Sequence, residues 1–260
     1  RDDQSNVFRS IGNLQLDYTL PWVKGLRANL NLGYDWQNGK GTVVVPDSAA
    51  SDYRRWETTN NPFSVVHFGG VNNQYNSQKR NLLMDFYLNY AKDIPSINSR
   101  IDVMAGTGYQ DFLFTNDNFA DFRYDKSMRP GTEPQFPTNE AQYTLISYYG
   151  RLNYTLDNKY VLTANLRTDG SSRFSKENRW GVFPSVAFAW RASNEEFLMS
   201  SKVISDLKFR IGWGITGQQD GIDFYGYLPR YSLSNNAALY QLGTEYVSMQ
   251  RPSAYDPNLS

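Results

Sequence analysis

Between Ile146 and Arg191 the chain reads ISYYGRLNYTLDNKYVLTANLRTDGSSRFSKENRWGVFPSVAFAWR, and its polarity alternates with a period of two. Ile146, Tyr148, Gly150, Leu152 and Tyr154 fall on one side of an extended backbone, and Ser147, Arg151 and Asn153 on the other. After a tight turn, Tyr160, Leu162, Ala164 and Leu166 oppose Thr163, Asn165, Arg167 and Asp169. Successive side chains of a strand point to opposite faces, so this pattern specifies strands with one apolar and one polar face. A third strand follows a longer polar loop and ends at Arg191. Aromatics stand at the ends of the apolar face, which suits a strand that crosses a bilayer with its polar face turned to a wet lumen.

Composition is compatible with that reading. No apolar run approaches the roughly 18 residues of a spanning helix. Barrel strands need only half their residues apolar, so a mean hydropathy of -0.60 is no obstacle. Basic and acidic residues number 26 each, and the balance leaves no basic footprint for nucleic acid. The absence of Cys removes disulfides, thiolate zinc sites and cysteine nucleophiles. The opening Arg1-Asp2-Asp3-Gln4 does not read as a signal peptide, so the chain is expected to be a mature form or a piece of a longer one.

The same alternation recurs elsewhere. It predicts strands over Phe8 to Leu20, Leu26 to Trp36, Asn81 to Tyr90, Ile101 to Tyr109 and Leu207 to Ile215. With the three above, that makes about eight. The stretches Gln37 to Lys79 and Asp111 to about Tyr143 lack alternation and read as long loops, and the region after Gly217 is a third. The link from Ala192 to Asp206 can hold one helical turn capped by Ser193 or Asn194. Short links follow strands one, three and five, a moderate one follows strand seven, and longer segments follow strands two, four, six and eight. One rim of short turns and one of long loops is the pattern of an outer-membrane up-and-down barrel.

Particular motifs then carry a family resemblance. Ser147-Tyr148-Tyr149-Gly150-Arg151-Leu152-Asn153-Tyr154, Lys159-Tyr160-Val161-Leu162, Leu166-Arg167-Thr168-Asp169-Gly170-Ser171-Ser172-Arg173-Phe174 and Asn178-Arg179-Trp180-Gly181-Val182-Phe183-Pro184-Ser185 closely resemble the SusC/RagA family of TonB-linked outer-membrane transporters. Ile204 to Arg210, Trp213 to Gly217 and Arg251 to Leu259 are similar to later stretches of the same family. The motifs cover the second half of the chain, and strand pattern and loop rhythm extend the likeness over the first. The resemblance implies an all-β, antiparallel up-and-down transmembrane β-barrel segment taken from a larger plugged barrel of about 22 strands. Residues 1–260 would then be a partial barrel domain with no match to the plug, the TonB box or the closing strand. Further implications are a bacterial outer-membrane location, import of oligosaccharides or oligopeptides, a SusD-like surface lipoprotein as partner, and energy from the TonB complex.

Candidate site residues follow from face and loop. Arg27, Asp85, Arg151, Arg167 and Arg210, together with Asp35, Asp102 and Lys208, are expected to face the lumen. Leu83, Tyr87, Met104 and Phe183 break the polar face and are expected to touch a plug. Tyr53, Trp56, Phe114 and Tyr124, with Phe63 and Tyr75, are loop aromatics that can stack on sugars or peptide side chains, although packing of the loops on themselves is the more economical role. The Asp169 to Phe174 stretch reads first as a turn held by Asp and Ser side chains. His67 is the one histidine and has no nucleophile motif beside it, so no enzyme is expected. Asn116-Asp117-Asn118 and Asp121 lack the spacing of a calcium loop, and neither metal nor cofactor is expected. Two other readings remain open at this level. One is a surface β protein that binds glycans without transport, and the other is a complete eight-stranded barrel, which would need strand one to pair with strand eight.

Overall fold

The computed structural model describes residues 1–54, 66–67, 69–199, 203–233, 239–253 and 255–256. Eight strands pair in one sheet in chain order: β1 Asp2–Thr19, β2 Leu26–Val45, β3 Val71–Ile94, β4 Ser99–Asp117, β5 Thr138–Leu156, β6 Tyr160–Ser171, β7 Trp180–Arg191 and β8 Lys208–Gly214. β1 and β8 are the two ends of that order and do not pair with each other, which removes the complete eight-stranded barrel. Small antiparallel pairs lie outside the sheet, at Tyr53–Arg54 with Val66–His67, Tyr231–Leu233 with Gln250–Pro252, and Leu239–Leu242 with Glu245–Ser248. The link after β7 holds a 3-10 turn at Ala192–Asn194 and one helical turn at Glu196–Met199. No described helix is long and apolar enough to cross a membrane.

The chain divides into two contact units. The first comprises Arg1–Asn13, Gly33–Leu82 and Asp111–Gln142, and the second Leu14–Leu32, Leu83–Gln110 and Tyr143–Ser260. In the first unit the strands run well beyond the alternating segments, because β2 continues to Val45, β3 begins at Val71, β4 continues to Asp117 and β5 begins at Thr138. The expected loops are correspondingly shorter, and Tyr75 and Phe114 are strand residues. Alternation is required only where one face meets an apolar medium. Elsewhere the backbone ladder can pair strands that are polar on both sides, as Val71-Asn72-Asn73-Gln74-Tyr75-Asn76-Ser77 shows.

The second unit contains β6 to β8, most of β5 and the short turns. Asp157 and Asn158 both have positive φ (52° and 53°), and the Lys159 amide donates to the Leu156 carbonyl at 3.0 Å. That is a type I′ turn, whose twist matches the flanking strands and whose left-handed residues favour Asp and Asn. Gly25 has φ 90°, and a Cβ there would stand 2.1 Å from the Ala91 carbonyl oxygen. Glycine is therefore required twice over, by conformation and by the approach that lets the Ala91 amide reach the Gly25 carbonyl at 2.9 Å.

Register sorts side chains by chemistry. Tyr154, Leu162, Phe188 and Ile211 form one cross-strand row, and Leu152, Ala164, Val186 and Trp213 another. On the opposite face run Tyr149, Arg167 and Phe183, then Arg151, Asn165, Ser185 and Gly214. Burial is inverted relative to a soluble protein. Ala192 is the one buried hydrophobic among the described residues, whereas Asn29, Asp111, Ser147 and Ser171 are buried and Ile211 is 73% exposed. Left in water, large apolar side chains forgo roughly 1.5–3 kcal/mol each. A face built this way needs an apolar cover that the chain does not itself provide.

Aromatics mark the limits of that face. Near the turns Tyr160 stacks on Phe188 and Trp190 on Phe209, with centroids 6.4 and 5.7 Å apart. Near the long connections Tyr148 stacks on Trp180 at 5.9 Å. The register places Trp180 opposite Gly170, ten residues along β6 from Tyr160. Ten residues span about 34 Å along a strand, and at the usual tilt of about 40° this gives about 26 Å of height, close to the apolar band of a membrane barrel.

Val186→Arg in the full-length protein is expected to destabilise it by about 2–4 kcal/mol, the range for a cation facing lipid near mid-depth. Ala187→Arg, one residue along on the other face, is expected to change little. Thermal unfolding of the two purified variants in lipid nanodiscs checks the contrast, and equal losses would contradict the assignment of faces.

Candidate functional site

The polar face of β5 to β7 carries a connected network. Arg167 donates from Nε to both Asp169 oxygens at 2.8 and 2.9 Å and from Nη2 to Ser147 Oγ at 2.8 Å. Its guanidinium also lies 5.7 Å from the Tyr149 ring centroid. Tyr149 Oη donates to Asp85 Oδ1 at 2.6 Å. Beside it, Arg151 Nε donates to Asn165 Oδ1 at 3.0 Å and Asn165 Nδ2 to Ser185 Oγ at 3.1 Å. Asp85 and Arg167 thus meet through Tyr149, and Arg151 lies on the same face in a separate hydrogen-bonded row. Arg27 forms a separate pair with Asp17 at 3.0 Å, to which Asn29 also donates. Arg210 is exposed on β8 opposite Ala189.

Two cavities open on this face, of about 680 and 510 Å3, and both are bordered by Arg167, Asp169, Phe183 and Gly217. The smaller also takes in Phe174, Arg179 and Gln219. Above it, the Arg173 guanidinium lies 4.0 Å from the Tyr143 centroid and 5.0 Å from that of Phe224, and its Nη1 donates to the Gln219 carbonyl at 3.1 Å. These contacts tie the segment after β8 to the connection between β6 and β7. The Asp169 to Phe174 stretch is therefore half strand and half turn, because β6 runs to Ser171. The turn reading holds for its second half, where the Phe174 amide donates to the Ser171 carbonyl.

Among the described aromatics expected in loops, Tyr75, Phe114 and Tyr124 line neither cavity. The Tyr53 backbone pairs with His67, and Trp56 and Phe63 lie outside the described residues. Tyr124 is an exposed loop residue whose amide donates to the Gly69 carbonyl at 2.8 Å. Phe114 is in β4, with Lys79 Nζ 5.7 Å from its ring centroid. Asp117 and Asp121 accept from Asn76 and Asn73, and Asn118 Nδ2 donates to the Phe136 carbonyl, so these groups hold the first unit's connections together. No cluster of three metal-ligating side chains occurs among the described residues. Arg179 and Gln219 were not singled out from sequence, although Arg179 shares the parity of Gly181, Phe183 and Ser185 and so could have been placed on this face.

Residues 1–259 match the family model described as TonB dependent receptor-like, beta-barrel. The chain belongs to the TonB-dependent receptor β-barrel family. It is 36% identical over its whole length to the TonB-dependent receptor SusC of Bacteroides thetaiotaomicron, covering 24% of that protein. It is 34% identical to TonB-dependent receptor P26 of Formosa agariphila, with 98% of the chain covered and 25% of the relative. The chain therefore spans about a quarter of the length of the curated relatives it matches. Its fold matches the RagAB peptide importer in the 'open-open' state with a TM-score of 0.75 at 21% identity, over the whole chain and 27% of that one. This is part of the wall of an outer-membrane barrel of a transporter and receptor family, and an uncovered apolar face is what contact with lipid requires.

At the short-turn end of this barrel wall, Glu195 collects three donors. Tyr160 Oη lies at 2.6 Å, Lys159 Nζ at 2.9 Å and Trp190 Nε1 at 3.1 Å. These bonds hold the Glu195 carboxyl down at about 2, below its ordinary 4.5, and the same carboxylate raises Lys159. The clasp joins the β5–β6 turn to the link after β7, a role the sequence reading of that link as one helical turn did not contain.

Because the Glu195 value is depressed in the folded protein, its contribution is complete above about pH 4.5 and is lost as pH falls toward about 2. Amide protection over residues 192–199, corrected for intrinsic exchange, is expected to decline between pH 6 and pH 3. Glu195→Gln should start lower and stay flat across that range, and a wild-type-like decline in the variant would show that another group governs it.

Proposed function

We propose that this chain forms part of the wall and mouth of an importer that brings oligosaccharides or oligopeptides across the outer membrane. The observation that carries the reading is the inverted sheet, apolar outward and hydrogen-bonded polar groups on the other side. Short links after β1, β3 and β5 and long ones after β2 and β4 fit a barrel whose long loops are extracellular, whereas the links after β6 and β7, residues 172–179 and 192–207, do not follow that alternation. A glycan-binding surface domain in water would have no use for the uncovered apolar rows.

In this reading Arg27, Asp85, Arg151, Arg167 and Arg210 face the lumen and keep its wall wetted and charged. Leu83, Tyr87 and Met104 meet a plug supplied by other parts of the protein. Tyr53, Trp56, Phe114 and Tyr124 contribute aromatic surface toward the mouth. A SusD-like lipoprotein covers the long connections, and the TonB complex drives release from the periplasmic side. The local role is binding and passage, with no covalent step assigned to any residue.

Deleting the gene for the full-length protein is expected to abolish TonB-dependent uptake of one class of fluorescently labelled oligomer, glycan or peptide, and to leave uptake of small solutes through porins unchanged. Retained uptake of both classes would overturn the import reading. Loss of one class assigns the substrate.

A further inference from the structure

The connection between β6 and β7 holds Arg173 and Arg179, with Arg167 on β6 below it, and the guanidinium groups of Arg167 and Arg173 are engaged within the chain, although Arg173 Nε is itself unpaired. Arg167 is committed to Asp169 and Ser147, and Arg173 is stacked between Tyr143 and Phe224. The Arg179 carbonyl accepts from the Ser171 amide, but its side chain has no hydrogen-bonding, ionic or ring partner among the described residues, and its Nε is a buried donor left unmade. Gln219, across the smaller cavity's lining, likewise leaves a buried acceptor, Oε1, unpaired. Buried polar atoms are nearly always satisfied, and these two share the lining of one cavity, where a single bound polar group can meet both.

We infer that this cavity takes a carboxylate-bearing unit of the imported oligomer, with Arg179 as its cation. The inference rests on the import reading above and names the substrate class within it. Asp169 is neutralised by Arg167, so the lining of the cavity carries one uncompensated positive charge. A planar guanidinium suits a carboxylate in two-point contact. The neighbouring Asp169 carboxylate disfavours a dianion such as a phosphate monoester, since one free cation cannot offset it. Gln219 Oε1 can accept from a hydroxyl or amide N–H on the same unit. Phe174 and Phe183 supply apolar walls, and the Phe183 ring is held in place against Gly181 and Gly217, where a Cβ would stand 2.6 and 2.4 Å from it. At about 510 Å3 the cavity is within the range of small-ligand pockets and holds one or two units of a chain.

Peptides and uronate glycans both carry carboxylates, and binding measurements separate them. The full-length protein, purified with its surface lipoprotein, is titrated calorimetrically with four probes: an Asp-rich pentapeptide, its amidated Asn counterpart, a galacturonate trisaccharide and maltotriose. One acidic probe is expected to bind at least about tenfold more tightly than its neutral counterpart, the scale of one charge-assisted contact. Arg179→Gln is expected to erase that preference while leaving the neutral affinity unchanged, and Arg179→Lys to restore part of it. An unchanged thermal midpoint in both variants shows that the fold is retained. Equal binding of acidic and neutral probes, or a preference that survives Arg179→Gln, overturns the assignment. Neither of those results touches the import reading, which stands or falls on the uptake phenotype of the deletion strain.

Discussion

A backbone amide or carbonyl placed in hydrocarbon has no water to bond, so every such group in a membrane-crossing segment needs a partner in the protein. The continuous pairing of β5, β6 and β7 supplies this ladder: Leu145 to Leu156 pair with Tyr160 to Ser171, and Tyr160 to Gly170 with Trp180 to Trp190. With the backbone fixed, side chains decide only which face meets which medium. A one-residue slip of β6 would carry Arg167 and Asp169 to the lipid side and Leu162 and Leu166 to the other. The type I′ turn at Asp157 and Asn158 guards against that slip locally, and the apolar rows guard against it along the strand.

The polar face obeys a different rule, because it meets water and protein and can mix chemistry. Gly106 leaves room for the Tyr149 ring, whose Oη and Cζ would both lie 2.7 Å from a Cβ at that position. The ring is then positioned to reach Asp85 and to underlie Arg167. Phe183 fills the hollows of Gly181 and Gly217 in the same manner. Aromatic rings laid over strand glycines repair the lost side-chain contact and stiffen the wall. For Phe183 this gives packing within the chain, beside the contact with a plug that the sequence suggests.

The fold was legible wherever two media meet. In β3, Leu82, Met84, Phe86 and Leu88 are exposed while Leu83, Asp85 and Tyr87 are less so, and a simple parity count along the strand reproduces that division. Strand ends were not legible, because Asn72 to Lys79 and Asn38 to Thr42 are polar on both sides and resemble loop composition, although they pair. Phe114 was misplaced as a loop residue for the same reason. Site residues were legible by face and illegible by partner. Parity placed Asp85, Arg151 and Arg167 together, but the choice of Asp169, Ser147 and Asn165 as partners depends on register, and the Glu195 clasp depends on a link that packs back against the turn.

The arginines around the β6–β7 connection show why residue type alone does not assign a role. Arg167 lies beside a carboxylate two residues along its own strand, so its charge is spent on the wall. Arg173 forms no ion pair among the described residues and is held by two rings, an arrangement that engages the guanidinium face and lets Nη1 donate to the Gln219 carbonyl, while Nε stays unpaired. It thereby fixes the segment that follows β8 and positions the Gln219 side chain at the cavity. Arg179 is left with charge and donors uncommitted within the described chain. Of three like residues, one builds the wall, one clamps the connection, and the third has binding capacity that only another molecule, or another part of the protein, can use.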